Sequence, residues 1–285
     1  MVRGQPGPVL TRAGVVGSPV AHSLSPVLHH AAYAALGLDD WSYERAEVPA
    51  GGLRRFVEGL GPEWVGLSVT MPGKEEALAL AAEASTAAAA VGAANTLLRR
   101  PGGWYADNTD VDGLRTALLE AGLEGAHRAV VLGGGATARS AAVALHGLGV
   151  RTVEVLVRDR LRPHTAQLLE SLGLDTHVRH LADGIPLDAA EVVLSTLPGG
   201  TPAPPVRPGR GADRPVVMDV GYAPWPSPFA AAVAEATQGR VRVVRGTRML
   251  LHQAARQVEL MTGREAPTSA MDLALRGELE GRAQR

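Results

Sequence analysis

Val130-Val131-Leu132-Gly133-Gly134-Gly135-Ala136-Thr137-Ala138 is the stretch whose reading decides the fold. A short apolar run ends in three glycines, and the residues after them have helical character. The pattern Gly-x-Gly-x-x-Ala runs from Gly133 to Ala138. Its chemistry follows from its shape. Gly133 permits a tight turn, Gly135 lets the backbone approach a pyrophosphate, and Ala138 allows close packing of helix on strand. Exposed N–H groups at the helix start, beginning at Ala136, would face the phosphates. A glycine-rich turn that binds nothing is the bland alternative, but an apolar strand before it and a helix after it favour a dinucleotide site.

Working outward, the strand Thr152 to Val157 is followed by Arg158-Asp159-Arg160, with Arg162 one helical turn further on. An acid at the end of this strand grips the ribose of NAD, whereas an arginine accepts the extra phosphate of NADP. Arg158 and Arg162 offer guanidinium forks to a phosphate. Asp159 either holds the ribose hydroxyl or pairs with a neighbouring arginine, and a solvated charged turn is the alternative reading. Two arginines against one aspartate favour NADP.

Strand and helix alternate through the rest of the chain, which indicates an α/β sandwich. Strands are expected at Ala13 to Gly17, Trp41 to Glu47, Trp64 to Val69, Val192 to Ser195 and Val216 to Val220, with an edge strand at Val241 to Val244. A hairpin is expected from Thr96 to Ala106. Helices are expected at Pro26 to Leu36, Gly52 to Leu60, Val111 to Ala121, Thr137 to Leu148, Pro163 to Leu172 and Phe229 to Thr237. The alanine-rich run Lys74 to Ala90 reads as mostly helical, and Gly199 to Arg214 as loop. Two final helices, Arg248 to Met261 and Ser269 to Gly277, have no strand between them and are expected to pack back on the first unit.

Composition narrows the function. The chain has 285 residues, enough for one large or two medium domains. Its net charge of -1 argues against a dedicated nucleic-acid binder, and Arg207, Arg210 and Arg214 sit in a Gly/Pro-rich segment without interleaved aromatics. The absence of cysteine removes disulfides, thiol nucleophiles and thiolate metal sites. His22, His29 and His30 lack metal-ligand spacing, so no metal is expected. Met1 to Pro8 has no apolar signal core and no apolar run reaches membrane-spanning length, so the expected location is the cytoplasm.

Polar residues cluster after the strands of the first half. In His22-Ser23-Leu24-Ser25-Pro26, Ser25 followed by proline reads as a helix cap and Ser23 is unexplained by capping; both hydroxyls also suit donation to a carboxylate or a sugar-like ligand. Lys74 follows the strand Trp64 to Val69, where open α/β sheets bind ligands. Asn95-Thr96 and Asn108-Thr109-Asp110 are two more clusters, although Asn108 and Asp110 also suit a cap for the helix from Val111. Lys74 and Asp110 make an acid/base pair of the kind that moves a hydroxyl proton while nicotinamide handles the hydride. Oxidoreduction of an alcohol and a ketone is the reaction class these parts suit.

At these residues the chain resembles the shikimate dehydrogenase family over essentially its full length. Gly17-Ser18-Pro19 with His22 to His29 and Ser68-Val69-Thr70-Met71-Pro72-Gly73-Lys74 are similar to family motifs. So are Gly92 to Thr96, Asn108 to Asp110, Asp219 to Pro224 and Gly246 to Leu250, with Gln253 in register. Six motifs in order are strong where each alone is weak. The resemblance implies that Ser23 and Ser25 bind the substrate carboxylate. It implies that Thr70, Asn95, Asp110 and Gln253 hold ring hydroxyls with Tyr222 close by, and that Lys74 and Asp110 are catalytic. Gly133, Gly135, Ala136 and Arg158 would hold the dinucleotide, with Gly246 and Met249 near the nicotinamide.

The implied architecture is an N-terminal α/β substrate-binding domain, residues 1–113 completed by 246–285, and a Rossmann-like NADP-binding domain, residues 114–245. The implied reaction is reversible reduction of 3-dehydroshikimate to shikimate by NADPH, on the route to chorismate and aromatic amino acids. Ser68 stands where the family usually has Asn, and Val157-Arg158-Asp159 where NADP-using members usually have Asn-Arg-Thr. An NAD-using quinate/shikimate dehydrogenase and a catalytically silent homologue are the competing readings. Either a monomer or a homodimer is compatible with the sequence.

Overall fold

The computed structural model describes residues 10–208 and 215–283. Met1 to Pro8, Arg210 and Arg214 lie outside the described residues. Two compact units result. One holds the chain up to Ala89, Ala93–Thr109 and the chain from Ala254; the other holds Ala90–Gly92 and Asp110–Gln253.

The first unit opens with β1 (Thr11–Gly17), α1 (Ser25–Ala35), β2 (Trp41–Glu47), α2 (Leu53–Glu58) and β3 (Trp64–Val69). α3 (Lys74–Leu80), β4 (Glu83–Ala84), α4 (Thr86–Val91), β5 (Thr96–Arg100) and β6 (Gly103–Asp107) follow. The six strands lie in the order β2-β1-β3-β5-β6-β4. β1 runs parallel to β2 and β3, whereas β5 and β6 form the antiparallel hairpin. β1 is apolar on both faces over Ala13, Val15 and Val16, as a central parallel strand must be. Val16, Leu67, Val69, Leu97 and Ala106 meet in one core with Leu53 and Val57 of α2.

The alanine-rich run departs from its expected single helix. α3 stops at Leu80, Ala81 turns extended with ψ at 143°, and Glu83–Ala84 pairs with Tyr105 and Ala106 of β6. Ser85 then accepts from the Ala88 N–H and restarts a helix. Helix formers fill the run up to Ala84, so pairing with the sheet sets the break, while Ser85 supplies the local signal for the restart.

The second unit runs through α5 (Asp110–Glu120), β7 (Arg128–Leu132), α6 (Ala136–Gly147), β8 (Thr152–Val157), α7 (Pro163–Ser171) and β9 (Asp175–His180). It continues with β10 (Ile185–Pro186), β11 (Val192–Ser195), β12 (Val206–Arg207), β13 (Val216–Asp219), α8 (Pro228–Thr237) and β14 (Val243–Arg245). Its main sheet has the order β14-β13-β11-β7-β8-β9, and every adjacent pair is parallel. Counted along the chain this is the doubly wound order of dinucleotide-binding folds, with the reversal between β7 and β11. β9, unforeseen in the sequence, is a polar edge strand on β8 with most of its side chains exposed. β12 interrupts the segment expected to be loop, pairing with β10 through two residues.

α9 (Thr247–Thr262) begins in the second unit and ends in the first, and α10 (Thr268–Ala283) packs on α1. The division between units falls at Thr109/Asp110 and inside α9 at Gln253/Ala254, rather than at 113/114 and 245/246. No helix among the described residues is long and apolar enough to cross a membrane.

Candidate functional site

In the first unit, the ends of β1 and β3 carry two loops side by side. Ser18 N–H donates to the Met71 carbonyl at 2.9 Å, and Thr70 N–H to Val16 at 2.9 Å. Both loops contain a cis proline bond, at Ser18-Pro19 and Met71-Pro72. Beyond Thr70 the chain turns directly into α3, so Lys74 is its first residue. The Lys74 carbonyl accepts from Ala94 N–H at 2.8 Å, and Val69 N–H donates to the Asn95 carbonyl at 2.7 Å. Thr70, Lys74 and Asn95 are thereby brought to one rim of the sheet. Asn95 is buried, whereas Thr70 and Lys74 are partly exposed.

The serine pair differs in detail from its expected form. Ser25 is the first residue of α1 rather than its cap, and Leu24 in the cap position makes no side-chain bond. Ser23 is the one that turns inward on the backbone, accepting from Ser25 N–H at 3.3 Å. Its carbonyl is gripped by Arg45 on β2 through Nε at 3.2 Å and Nη2 at 2.7 Å. Arg282 of α10 reaches the His22 carbonyl at 3.3 Å. Both arginines went unnoticed in the sequence, because nothing local ties residue 45 or 282 to residue 23.

The Asn108 amide donates to the Ala93 carbonyl at 2.7 Å, and the Asp107 carboxylate accepts from Asn108 N–H at 2.7 Å. Thr109 N–H donates to the Asn95 side-chain oxygen at 2.8 Å. These bonds join the Asn95 turn to the end of β6.

In the second unit, Gly133 has φ of +102°, which disfavours any side chain, and a Cβ there would lie 2.6 Å from Thr196 Oγ1. Thr196 donates to the Leu132 carbonyl at 2.7 Å and so braces the turn from the neighbouring strand β11. Thr165 of α7 donates to the Gly134 carbonyl at 2.8 Å from the other side. Gly135 precedes α6 with no side-chain cap on the helix, and nothing lies within 4 Å of where its Cβ would stand. Open space above Gly135 and an uncapped twelve-residue helix beginning at Ala136 fit a pyrophosphate. Arg158, Asp159 and Arg162 are exposed beyond β8. Arg162 is not a helical turn past Arg158: it is extended, with ψ of 141°, and α7 starts only at Pro163.

Gly246 meets the chain just before Tyr222 through the backbone. Gly246 N–H donates to Gly221 at 3.2 Å, and a Cβ on Gly246 would overlap the Val220 carbonyl. Arg245 donates to the Tyr222 carbonyl through Nε at 3.1 Å and Nη2 at 2.5 Å, and its guanidinium lies over Trp225. Partial burial lowers the Arg245 pKa from its ordinary value. Asp219 accepts from Gly221 N–H at 3.0 Å and from Ser227 Oγ at 2.5 Å, which anchors the loop bearing Tyr222 at both ends. Met249 and Gln253 lie on α9, both buried, with Gln253 donating to the Leu250 carbonyl at 2.9 Å. Asp110 is buried at the head of α5.

Comparison with known proteins agrees with both halves. Residues 15–97 match the shikimate dehydrogenase substrate binding domain, and residues 246–276 match the shikimate 5'-dehydrogenase C-terminal domain. The curated shikimate dehydrogenase (NADP(+)) of Synechococcus sp. (strain JA-3-3Ab) is 35% identical over 287 residues, 93% of each chain. The crystal structure of Mycobacterium tuberculosis shikimate dehydrogenase is 47% identical with a TM-score of 0.78, covering 94% of this chain and 99% of that one. The Listeria monocytogenes shikimate 5-dehydrogenase, solved with shikimate and NAD, is 25% identical with a TM-score of 0.79, covering 96% and 99%. Near-complete coverage of both partners at these identities, on a doubly wound sheet with an open glycine turn, means that the chain belongs to the shikimate dehydrogenase family.

Proposed function

We propose that the chain catalyses the reversible reduction of 3-dehydroshikimate to shikimate with NADPH; the Synechococcus relative bears the name shikimate dehydrogenase (NADP(+)). The observation that carries the reading is the position of Lys74. It stands at the head of α3 directly after β3, on the same rim as Thr70 and Asn95. When bound, the nicotinamide supplies the hydride in one direction and accepts it in the other.

The residues of the chain bind, orient and move one proton. Ser23 and Ser25 donate to the substrate carboxylate, while Thr70, Asn95, Asp110 and Gln253 hold ring hydroxyls with Tyr222 nearby. Lys74 gives its proton to the carbonyl oxygen during reduction and takes the hydroxyl proton during oxidation, with Asp110 as its acid/base partner. Gly133, Gly135 and Ala136 hold the pyrophosphate, Arg158 and Arg162 the 2′-phosphate, and Gly246 and Met249 line the nicotinamide end. The cytoplasm is the expected location.

A second reading has NAD as the cofactor. Asp159 beside Arg158 supports it, as does the Listeria monocytogenes neighbour with NAD bound. Steady-state kinetics of shikimate and quinate against NADP and NAD test both. The expected result is the highest kcat/KM for shikimate with NADP. A preference for NAD would favour the second reading, and no turnover with any pair would leave a silent homologue.

A further inference from the structure

A line of buried polar side chains runs behind the substrate rim of the first unit, and its hydrogen bonds have only one consistent direction. It starts at Thr109, whose backbone N–H can only donate, and which lies 2.8 Å from Asn95 Oδ1. That fixes the Asn95 amide: turning it over would set N–H against N–H. Asn95 Nδ2 accordingly donates to Thr109 Oγ1 at 2.9 Å. The Thr96 hydroxyl donates to the same Oδ1 at 2.8 Å, so its oxygen is left to accept, and Gln257 Nε2 donates to it at 2.9 Å. Gln257 Nε2 also reaches the Asn95 carbonyl at 3.2 Å. Its other end, Oε1, accepts from Ser68 Oγ at 2.6 Å, and Ser68 in turn accepts from the Tyr43 hydroxyl at 2.5 Å.

Gln257 and Thr96 are fully buried and Asn95 nearly so, which shields these bonds from bulk water. Asn95 Oδ1 is taken up by Thr109 N–H and the Thr96 hydroxyl. On the reading of Asn95 as a substrate-binding residue, its contact with a substrate hydroxyl runs through the amide N–H, because Oδ1 is engaged. The Thr96 hydroxyl keeps its direction only while Gln257 donates to it. Otherwise it is free to turn, and one of the bonds into Asn95 Oδ1 loosens.

We propose that Gln257 is a positioning residue for substrate recognition, acting through Thr96 to hold the Asn95 amide as a donor. This rests on the reading of Asn95 as a substrate-binding residue. A bond to a bystander hydroxyl, present before and during reaction, is uniform binding, so its loss raises KM and spares kcat.

The experiment is a double-mutant cycle on the full-length enzyme, read as KM for shikimate, kcat, and KM for NADP. Gln257→Leu is expected to raise KM for shikimate by about tenfold, with kcat and the KM for NADP within about twofold. In an Asn95→Ala background the same change is expected to alter KM by less than about twofold. Thr96→Val cuts the same link with little change of shape, and is expected to reproduce the tenfold rise. It carries the cycle if Gln257→Leu does not fold. Equal fold-changes in the two backgrounds, or an unchanged KM in Thr96→Val, would overturn the positioning role while leaving Asn95 as a binding residue. An unchanged KM in Asn95→Ala alone would overturn the underlying assignment of Asn95, and the proposal with it.

Discussion

Lys74 is the residue on which the proposed chemistry turns. It ends a strand-to-helix turn whose geometry is held by Thr70, Gly73 and Ala94 backbone bonds, none of which uses its side chain. Lys74→Ala should therefore fold normally and lower kcat by about a hundredfold or more; near-normal turnover in the folded variant would refute proton transfer by Lys74. His29 shows the opposite case, a titratable group used for structure. It stacks on Tyr43 at 3.9 Å between ring centroids, with Tyr33 edge-on. Burial is the main reason its pKa drops from 6.5 to about 3; the charge of His30 adds to the drop, and a Gln257 hydrogen bond works against it. Below pH 6.5 the unfolded chain binds a proton that the folded chain refuses until about pH 3. Stability is thus full above pH 6.5 and falls as the pH falls, by roughly 2 kcal/mol at pH 5 from this residue. Denaturant titrations at pH 7.5 and pH 5 should show a smaller acid loss in His29→Phe, and an equal loss would exclude His29 as the source.

At the scale of elements, the loop between β8 and α7 is the one whose function the family resemblance leaves most open. Arg158, Asp159 and Arg162 all stand exposed on it, so their charges face solvent rather than the core. On the proposed reading a guanidinium fork at Arg158 holds the 2′-phosphate, and the neighbouring carboxylate opposes it. Arg158→Ala should cost NADP far more than NAD in kcat/KM, and Asp159→Thr should strengthen NADP; equal losses for both cofactors would remove Arg158 from the phosphate site. The strands that sequence patterns revealed were those buried along most of their length. β1, β3, β7, β8, β11 and β13 are short apolar runs bounded by glycine or polar turns, and each was legible for that reason. β9 was not, because Asp175-Thr176-His177-Val178-Arg179-His180 carries no apolar face, and only its pairing with β8 makes it a strand. β4 was hidden inside a run of helix formers for the same reason. Around the candidate site, the motifs drew attention to residues close together in sequence, while Arg45, Arg245 and Gln257 gave no signal, since each acts on a partner distant in sequence.

The whole molecule has a chain order that makes one unit depend on the terminus and the other not. Asp110–Gln253 is continuous, needs only Ala90–Gly92 from elsewhere, and contains the entire parallel sheet with its two flanking cores. The first unit is discontinuous and is completed by the chain from Ala254. That return segment supplies Gln257 to the buried polar line, Arg264 to the Leu36 carbonyl at 3.0 Å, and α10 as the packing partner of α1. It also brings Arg282 to the loop before Ser23. A chain ended after Gln253 should consequently lose shikimate binding, because α1 is uncovered and the Asn95 amide loses its support. Dinucleotide binding should persist within about tenfold, since Gly133, Thr165, Thr196 and Arg158 all lie in the retained continuous stretch. Calorimetric titration of the shortened chain with NADP and with shikimate separates the two. Retained shikimate affinity would show that the return segment is dispensable for the substrate rim, whereas loss of NADP affinity as well would show that the parallel sheet does not stand without it.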